Sequence, residues 1–270
     1  MKFFEGCTAL ITGASSGLGA EFARQLAPYA RGMVLVARRR ERLDELAEEL
    51  RRIHVGLEVR TYGADLSDEG KRVELASWLK EEGISVDFLI NNAGLGDHGQ
   101  FAAGEWQRVK SMLDVNIGAL THLTHLLLPS MLKSGRAAVL NVSSVASFFP
   151  LPNMAVYSAT KAYVTSFSEA LAIELRPKGI TVTALCPGPV PTEFFGTATR
   201  EGELDMSDHF KTFSAFVVSP QEAVTAGLRA VAHDRARVIP GPLLAASVAV
   251  ALVIPFFIIR RILAWKADTI

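Results

Sequence analysis

The chain is poor in cysteine and has no excess of either charge. Among its 270 residues the only cysteines are Cys7 and Cys186, each in an apolar stretch predicted as a strand. Those strands should not be adjacent, so a disulfide is not expected, and so few cysteines are typical of a reducing compartment. Lys plus Arg equals Asp plus Glu at 28 each, which gives no reason to expect nucleic acid as a partner. We expect a small molecule instead.

The first residues also lack the apolar run of a signal peptide. Cytoplasmic placement is therefore the default prediction. No linker divides the chain, and its length suits one large domain, which we place at residues 1–241, with residues 242–270 as an apolar tail.

Apolar stretches of strand length alternate with stretches of helical periodicity. The predicted strands are residues 7–11, 33–37, 57–62, 86–91, 137–142, 180–186 and 238–239, and the predicted helices are residues 21–26, 39–52, 68–81, 105–132, 154–176 and 220–233. Strands that are apolar throughout are typical of a parallel sheet with helices on both faces. The sequence therefore predicts an α/β fold.

A glycine-rich segment, Thr-Gly-Ala-Ser-Ser-Gly-Leu-Gly at residues 12–19, stands between the first predicted strand and the first predicted helix. Glycine allows a tight turn and a close backbone approach to a pyrophosphate, whose charge the free amides at the helix start attract. The spacing of Gly13, Gly17 and Gly19 is one residue longer than the commonest dinucleotide fingerprint. Its position between strand and helix predicts a nucleotide-binding turn.

Arginines follow the second predicted strand, where an acid often holds the ribose hydroxyls of NAD. Arg38, Arg39 and Arg40 come first, and no acid appears before Glu41. An arginine at this place accommodates a 2′-phosphate, so we favour NADP over NAD. Arg38 is the best candidate for the phosphate, with Arg39 in support.

Tyr157 and Lys161 are four residues apart in a predicted helix, so both side chains point to one spot. Such pairs are most often surface contacts. A nearby ammonium, however, favours the ionised form of a phenol, so the pair can also serve as a proton donor and its activator. Ser144 closely follows the predicted strand at residues 137–142 and can hold a substrate oxygen, although Ser143-Ser144 alone would suit a turn.

With Asn91-Asn92-Ala93-Gly94 and Pro187-Gly188, these motifs make residues 12–192 resemble the short-chain dehydrogenase/reductase family. The resemblance implies a Rossmann-type, doubly wound, mostly parallel seven-stranded sheet in three α/β/α layers. Together with the arginines after the second strand, it implies an NADP(H)-dependent oxidoreductase that interconverts carbonyl and alcohol, in a homodimer or homotetramer.

The same resemblance implies the roles of particular residues. It selects Ser144 over Ser143, because the serine 13 residues before the tyrosine is the catalytic one. It implies that Asn116 supports a helix irregularity and a water that relays protons to Lys161. It also implies that Lys161 binds the nicotinamide ribose. The predicted catalytic residues are Asn116, Ser144, Tyr157 and Lys161. The predicted cofactor-binding residues are Gly13, Ser15, Ser16, Gly17, Leu18, Gly19, Arg38, Arg39, Asp65, Leu66, Asn92, Ala93, Gly94, Tyr157, Lys161, Pro187, Gly188, Val190 and Thr192.

Aromatic and apolar residues flank the predicted catalytic end. Residues 148–154 are apolar and proline-containing, and a polar stretch at about 189–218, which we interpret as a lid, carries Phe194, Phe195, Phe210, Phe213 and Phe216. We predict a hydrophobic substrate, steroid-like, long-chain or 3-oxoacyl, although any single Phe suits an ordinary core as well. The predicted substrate contacts are Ser144, Phe149, Met154, Tyr157 and Phe194.

The tail includes a 17-residue stretch without charge, residues 243–259, which contains Pro255 and precedes Arg260 and Arg261. A spanning helix needs about 20 apolar residues. Three roles stay open: a short membrane anchor, an apolar helix over the substrate entrance, or an oligomer contact. We favour a packed helix, because many enzymes of the resembling family end in an apolar tail.

Other chemistry is less well supported. His122 and His125 have a spacing that can bind metal, but no third ligand is evident, so no metal site is predicted. No Gly-x-Ser-x-Gly segment surrounds Ser144, which argues against a hydrolase. A catalytically inactive NADP-binding regulator of the same fold is the alternative function, although it would need neither a proton donor nor its activator.

Overall fold

The structure, a computed structural model, describes residues 1–199 and 214–267. Its seven strands form one sheet in which each strand is parallel to its neighbours, in the order β3-β2-β1-β4-β5-β6-β7. The strands are β1 Thr8–Thr12, β2 Gly32–Ala37, β3 Glu58–Gly63, β4 Phe88–Asn91, β5 Ala137–Val142, β6 Ile180–Leu185 and β7 Arg237–Val238. The order reverses between β1 and β4, and a crevice opens there at the carboxyl ends of the strands.

Helices cover both faces of the sheet. They are α1 Gly17–Leu26, α2 Arg40–Ile53, α3 Glu69–Glu81, α4 Trp106–Leu113, α5 Leu120–Ser134, α6 Ala155–Leu175, α7 Glu193–Ala198, α8 Pro220–Ala232, α9 Pro242–Val253 and α10 Phe256–Ala267. Phe22 of α1, Leu43 of α2 and Leu228 of α8 belong to one buried cluster. Leu75 of α3 and Leu123 of α5 belong to a second cluster on the other face. The predicted doubly wound, three-layer α/β fold is therefore confirmed.

The helix predicted at residues 105–132 is interrupted. Helix α4 gives way to a π-helical turn at Asp114–Ala119, and α5 begins at Leu120. This is the helix irregularity that the family resemblance implied near Asn116. The turn brings the Asn116 side chain towards the loop after β4, where it forms its hydrogen bonds.

The apolar tail forms two helices that meet at Pro255. Ile254, the residue before the proline, has an extended backbone (φ −74°, ψ 133°), as expected where a proline ring disfavours helix. Leu244 and Val248 of α9 are buried, whereas Val250 and Val253 of α9 and Phe257 of α10 are exposed. Over residues 1–199 and 214–267, no helix has the length and apolar character needed to cross a membrane.

The predicted lid is described in part. Helix α7 lies at its beginning, and a 3₁₀ turn at Ser214–Phe216 lies near its end. Phe210 and Phe213, which the prediction counted among the lid aromatics, lie outside the described residues.

Candidate active site

A cleft of about 490 Å³ opens at the carboxyl ends of the strands. It brings together most of the residues predicted for the site, from the loops that follow strands in both halves of the sheet. Those that line it are Gly13, Ser15, Ser16, Gly17, Leu18, Arg38, Arg39, Asp65, Leu66, Asn92, Ala93, Gly94, Ser144, Met154, Tyr157, Lys161, Pro187, Gly188, Val190, Thr192 and Phe194. Gly19, Asn116 and Phe149 are not part of its wall.

The glycine turn after β1 has no room for side chains. A Cβ on Gly13 would lie 2.9 Å from the Cα of Ala93, and one on Gly19 would lie 2.2 Å from the carbonyl oxygen of Gly13. The Asn92 amide donates to the carbonyl oxygens of Thr12, at 2.9 Å, and Gly13, at 3.2 Å. Gly19 therefore acts from behind the wall, where its missing side chain lets α1 pack closely on the turn.

The start of α1 is suited to an anion. The N-cap residue Ser16 makes no side-chain capping bond, so the first amides of this ten-residue helix are not satisfied by their own cap. Free amides and the positive end of the helix dipole attract a pyrophosphate. Together with the tight glycine backbone, they form a cradle that fits a dinucleotide.

The two predicted phosphate-binding arginines have different neighbours. The Arg39 guanidinium donates to the hydroxyls of Ser15, at 3.2 Å, and Ser16, at 2.9 Å. Burial raises the pKa of Asp65, but hydrogen bonds from Ser67 and the charge of Arg38 outweigh it, so this pKa lies below its usual value. Arg38 therefore acts on Asp65, a predicted cofactor contact, whereas Arg39 contacts the glycine turn directly.

Ser144, Tyr157 and Lys161 meet at the other end of the cleft. Tyr157 and Lys161 lie one turn apart on α6, and the Lys161 Nζ is 5.7 Å from the centre of the Tyr157 ring. The Ser144 side chain lies close enough to the Tyr157 phenol to act on its pKa, and its Oγ accepts from the Ala146 N–H at 3.1 Å. The neighbouring Ser143 hydroxyl donates instead to the backbone carbonyl of Lys161, at 2.9 Å. The two serines thus have different surroundings, with Ser144 beside the phenol in the cleft and Ser143 bonded to the α6 backbone.

Burial dominates the ionisation of the tyrosine and the lysine. It raises the pKa of Tyr157 to about 12, and the nearby Ser144 hydroxyl opposes this only in part. It also lowers the pKa of Lys161 to about 8. The expectation that Lys161 would lower the phenol pKa is not met in this structure, because removal from water disfavours the charged form of each group. At neutral pH Tyr157 therefore keeps its proton.

Asn116 lies behind the cleft and is 1% exposed. Its Oδ1 accepts from the Leu95 N–H at 2.8 Å, and its Nδ2 donates to the Leu95 carbonyl at 2.9 Å and to the Thr160 hydroxyl at 3.0 Å. These bonds join the loop after β4 to α6. A Cβ on Gly94 would lie 3.4 Å from the Lys161 Nζ and 3.5 Å from the Asn116 Oδ1, so the glycine leaves that space open.

An apolar wall surrounds the Tyr157 ring. Leu95, Leu151, Met154 and Phe194 pack in the same cluster, and the Phe194 ring centre lies 5.7 Å from that of Tyr157. Phe149, predicted as a substrate contact, is not in this wall. It follows a short 3₁₀ turn at Val145–Phe148 and packs edge-on against the Phe148 ring at 6.5 Å.

Sequence reasoning missed several residues of the cleft. Leu95 follows the Asn-Asn-Ala-Gly segment directly, so its proximity could have been predicted from adjacency alone. Glu193 contacts Arg39 across 154 residues, and no sequence signal pairs them. Leu244 of α9 lies within 2.5 Å of the position of a Cβ on Gly188, so the tail packs beside the cleft.

The part of the chain that the structure describes contains no group of three or more His, Cys, Asp or Glu side chains able to hold a metal ion.

Comparisons with known proteins agree with this geometry. Residues 7–203 match the model of the short chain dehydrogenase family. Sulfoacetaldehyde reductase 2 of Chromohalobacter salexigens is 39% identical over 198 residues, which are 72% of this chain and 75% of that protein.

Two solved structures are similar over most of the chain. A short-chain dehydrogenase from Sphingobium yanoikuyae in complex with NADPH has a TM-score of 0.77 and 35% identity, covering 91% of this chain and 92% of that one. The bulky-bulky ketone specific alcohol dehydrogenase from Comamonas testosteroni has a TM-score of 0.72 and 33% identity, covering 87% and 86%. Solved structures of similar chains hold NADPH or NADH. The chain therefore belongs to the short-chain dehydrogenase family, oxidoreductases of CH–OH groups that use a nicotinamide dinucleotide.

Proposed function

We propose that the chain is an NADP(H)-dependent reductase of hydrophobic ketones and aldehydes that also oxidises the corresponding alcohols. One observation carries the proposal: a single cleft has the glycine turn and Arg39 at one end and Ser144, Tyr157 and Lys161 at the other. A dinucleotide in the glycine cradle would reach from the arginines towards the tyrosine. When bound, the reduced nicotinamide supplies the hydride.

Tyr157 is the proposed proton donor. Hydride addition to a carbonyl carbon leaves negative charge on the oxygen, and that alkoxide is a stronger base than a phenolate. Because burial raises the pKa of Tyr157 to about 12, the phenol is fully protonated at neutral pH and has a proton to give. The same shift disfavours the phenolate that alcohol oxidation needs, so we propose reduction as the preferred direction near pH 7.

Ser144 is the proposed partner for the substrate oxygen. Its hydroxyl lies beside the Tyr157 phenol in the cleft, so an oxygen bound next to one group is within reach of the other. Two hydroxyl donors on one oxygen stabilise the negative charge that grows there. This arrangement would orient the carbonyl towards the hydride donor.

Lys161 is proposed to bind the nicotinamide ribose and to supply protons. Its Nζ donates to the Val142 carbonyl at 2.9 Å and faces the open space beside Gly94. Its pKa of about 8 lies close enough to neutral pH for it to take up and give up a proton. We propose Asn116 as a positioning residue, because its side chain holds Leu95 and Thr160. The water relay implied by the family resemblance stays a prediction.

The cofactor preference is proposed from the end of β2. Arg38 and Arg39 stand where an acid would bind the ribose hydroxyls of NAD, and a 2′-phosphate can accept several charge-assisted hydrogen bonds from such groups.

The apolar wall supports a hydrophobic substrate. Leu95, Leu151, Met154 and Phe194 surround Tyr157 with side chains that offer a small polar molecule no partners. The name of the Comamonas testosteroni relative refers to bulky ketones, whereas that of the Chromohalobacter salexigens relative refers to a small, charged aldehyde. The lining of this cleft favours the first of these substrate classes.

A panel of carbonyl compounds tests the proposal. We expect NADPH to be consumed with bulky ketones, steroids or 3-oxoacyl compounds at a kcat/KM at least about 10-fold above that for sulfoacetaldehyde. Phe194→Ala should raise KM for the best bulky substrate, while Phe149→Ala, matched in chemistry but outside the wall, should not. A preference for small polar carbonyls, or for NADH over NADPH, would contradict the proposal.

The assembly and location of the protein stay predictions. A homodimer or homotetramer, and contact of residues 243–259 with either a second copy or a membrane surface, are both compatible with the exposed Val253 and Phe257. Sedimentation of the full chain with and without lipid vesicles distinguishes them, because only membrane contact makes the protein pellet with vesicles.

A further inference from the structure

Glu193, the first residue of α7, binds two arginines of the cofactor end. Its Oε2 accepts from the Arg39 guanidinium at 2.9 Å and its Oε1 accepts from that of Arg42 at 2.6 Å. Hydrogen bonds from these two groups hold the pKa of Glu193 below its usual value, so the side chain is a carboxylate at neutral pH. The chain thus places one of its own anions between two arginines.

This ion-paired carboxylate lies at the mouth of the glycine turn. Arg39 also donates to the hydroxyls of Ser15 and Ser16, and the Thr192 side chain lies 3.3 Å from the position of a Cβ on Gly17. The arginines follow β2, where the substituent at the adenosine 2′ position is read in dinucleotide folds. A two-arginine anion site is therefore built where a 2′-phosphate is expected, and Glu193 fills it.

We propose that Glu193 is a specificity-determining residue that competes with the cofactor 2′-phosphate for Arg39 and Arg42. The proposal rests on the NADP preference put forward above and deepens it. Arg38 has no contact with Glu193 among the described hydrogen bonds and can meet the 2′-phosphate directly, but NADP must displace the Glu193 carboxylate to reach Arg39 and Arg42 as well. NAD has no 2′-phosphate to compete for them. Glu193 accordingly weakens the binding only of ligands that carry a 2′-phosphate.

The energetics permit this exchange. The side chains of Arg39 and Glu193 are 43% and 51% exposed, and ion pairs that exposed are weak. A phosphate monoester carries about −1.5 to −2 charges at neutral pH and three acceptor oxygens, more than a carboxylate offers. The phosphate can therefore displace the carboxylate from the arginines, but NADP then binds less tightly than it would without Glu193.

Helix α7 does not depend on Glu193 alone. At its other side, Phe194 and Ala198 pack on Gly96, where an added Cβ would lie 2.7 Å from the Phe194 ring and 2.9 Å from the Ala198 methyl group. Loss of the carboxylate should therefore leave the cleft wall in place and change the charge alone.

Calorimetric titration with 2′,5′-ADP and with 5′-AMP tests the proposal, since the two probes differ only in the 2′-phosphate. We expect Glu193→Gln to bind 2′,5′-ADP about 3- to 10-fold more tightly than the wild type, with 5′-AMP unchanged. Glu49→Gln is the matched control, because Glu49 pairs with Arg24 at 2.8 Å in a partly exposed bridge outside the cleft. This control should bind both probes as the wild type does.

Equal binding of 2′,5′-ADP by Glu193→Gln would overturn the proposal, because Glu193 would then not compete with the 2′-phosphate. Weaker binding would overturn it as well, because Glu193 would then support Arg39. If the wild type binds 5′-AMP but shows no gain in affinity from the 2′-phosphate, the NADP preference itself fails and the inference with it. If the wild type gains affinity from the 2′-phosphate and Glu193→Gln gains no more, only the inference fails. Glu193→Ala provides a second variant for each comparison.

Discussion

Asn116 offers a test of how the site is held together, because its side chain touches the loop after β4 and α6 but not the cleft. Asn116→Ala removes three hydrogen bonds of 2.8, 2.9 and 3.0 Å from a side chain that is 1% exposed. Each such bond contributes about 0.5–1.5 kcal/mol, and partners left unsatisfied add to the loss. We therefore expect the free energy of unfolding to fall by about 2–4 kcal/mol.

Urea denaturation of the two proteins measures this change. Gln107→Ala, at an exposed position of the neighbouring α4, is the control and should shift the free energy of unfolding by no more than about 0.5 kcal/mol. A loss below about 1 kcal/mol for Asn116→Ala would refute the positioning role. A collapse of kcat at wild-type stability would favour the water relay instead.

Two further predictions concern Lys161 and Gly19. Because burial lowers the pKa of Lys161 from 10.5 to about 8, the folded state binds fewer protons than the unfolded state between these values. The stability of the wild type relative to Lys161→Met should therefore rise with pH across that window, by about 3 kcal/mol at most, and urea titrations at several pH values that show a flat or falling difference would contradict it. Gly19→Ala puts a Cβ 2.2 Å from the Gly13 carbonyl oxygen, whereas Gly196→Ala meets no atom within 4 Å. The first variant, but not the second, should lose about 1–3 kcal/mol of stability and most of its NADPH affinity. If fluorescence titration shows that Gly19→Ala binds NADPH as tightly as the wild type, the cradle is refuted.

Local patterns predicted much of the fold. Mostly apolar strands such as residues 137–142 and 180–186 appear in the structure as β5 and β6, and both are buried along their whole length. Their polar residues, Asn141, Thr181 and Thr183, are buried as well. The break in the tail was also available from the sequence, because Pro255 disfavours helix at Ile254. The π-helical turn at Asp114–Ala119 is less accessible, because it depends on the distant partners of Asn116.

The site shows the same division between local and long-range information. The glycine turn and the pair of Tyr157 and Lys161 follow from spacing within one element. The direction of the Tyr157 pKa shift does not, because burial is set by the residues packed around the ring. The contact of Glu193 with Arg39 spans 154 residues and depends on the path of the chain after β6.

Single-turnover reduction of a ketone by Tyr157→Phe is the most direct test of the proposed mechanism. The change removes the phenol hydroxyl and keeps the ring that packs on Phe194. We predict that the rate falls by about 10²- to 10⁴-fold while NADPH affinity is unchanged. Tyr163→Phe, which removes a hydroxyl hydrogen-bonded to Thr121 at 3.0 Å on the exposed side of α6, should retain activity. A Tyr157→Phe variant that reduces the ketone at the wild-type rate would contradict the assignment of Tyr157 as the proton donor.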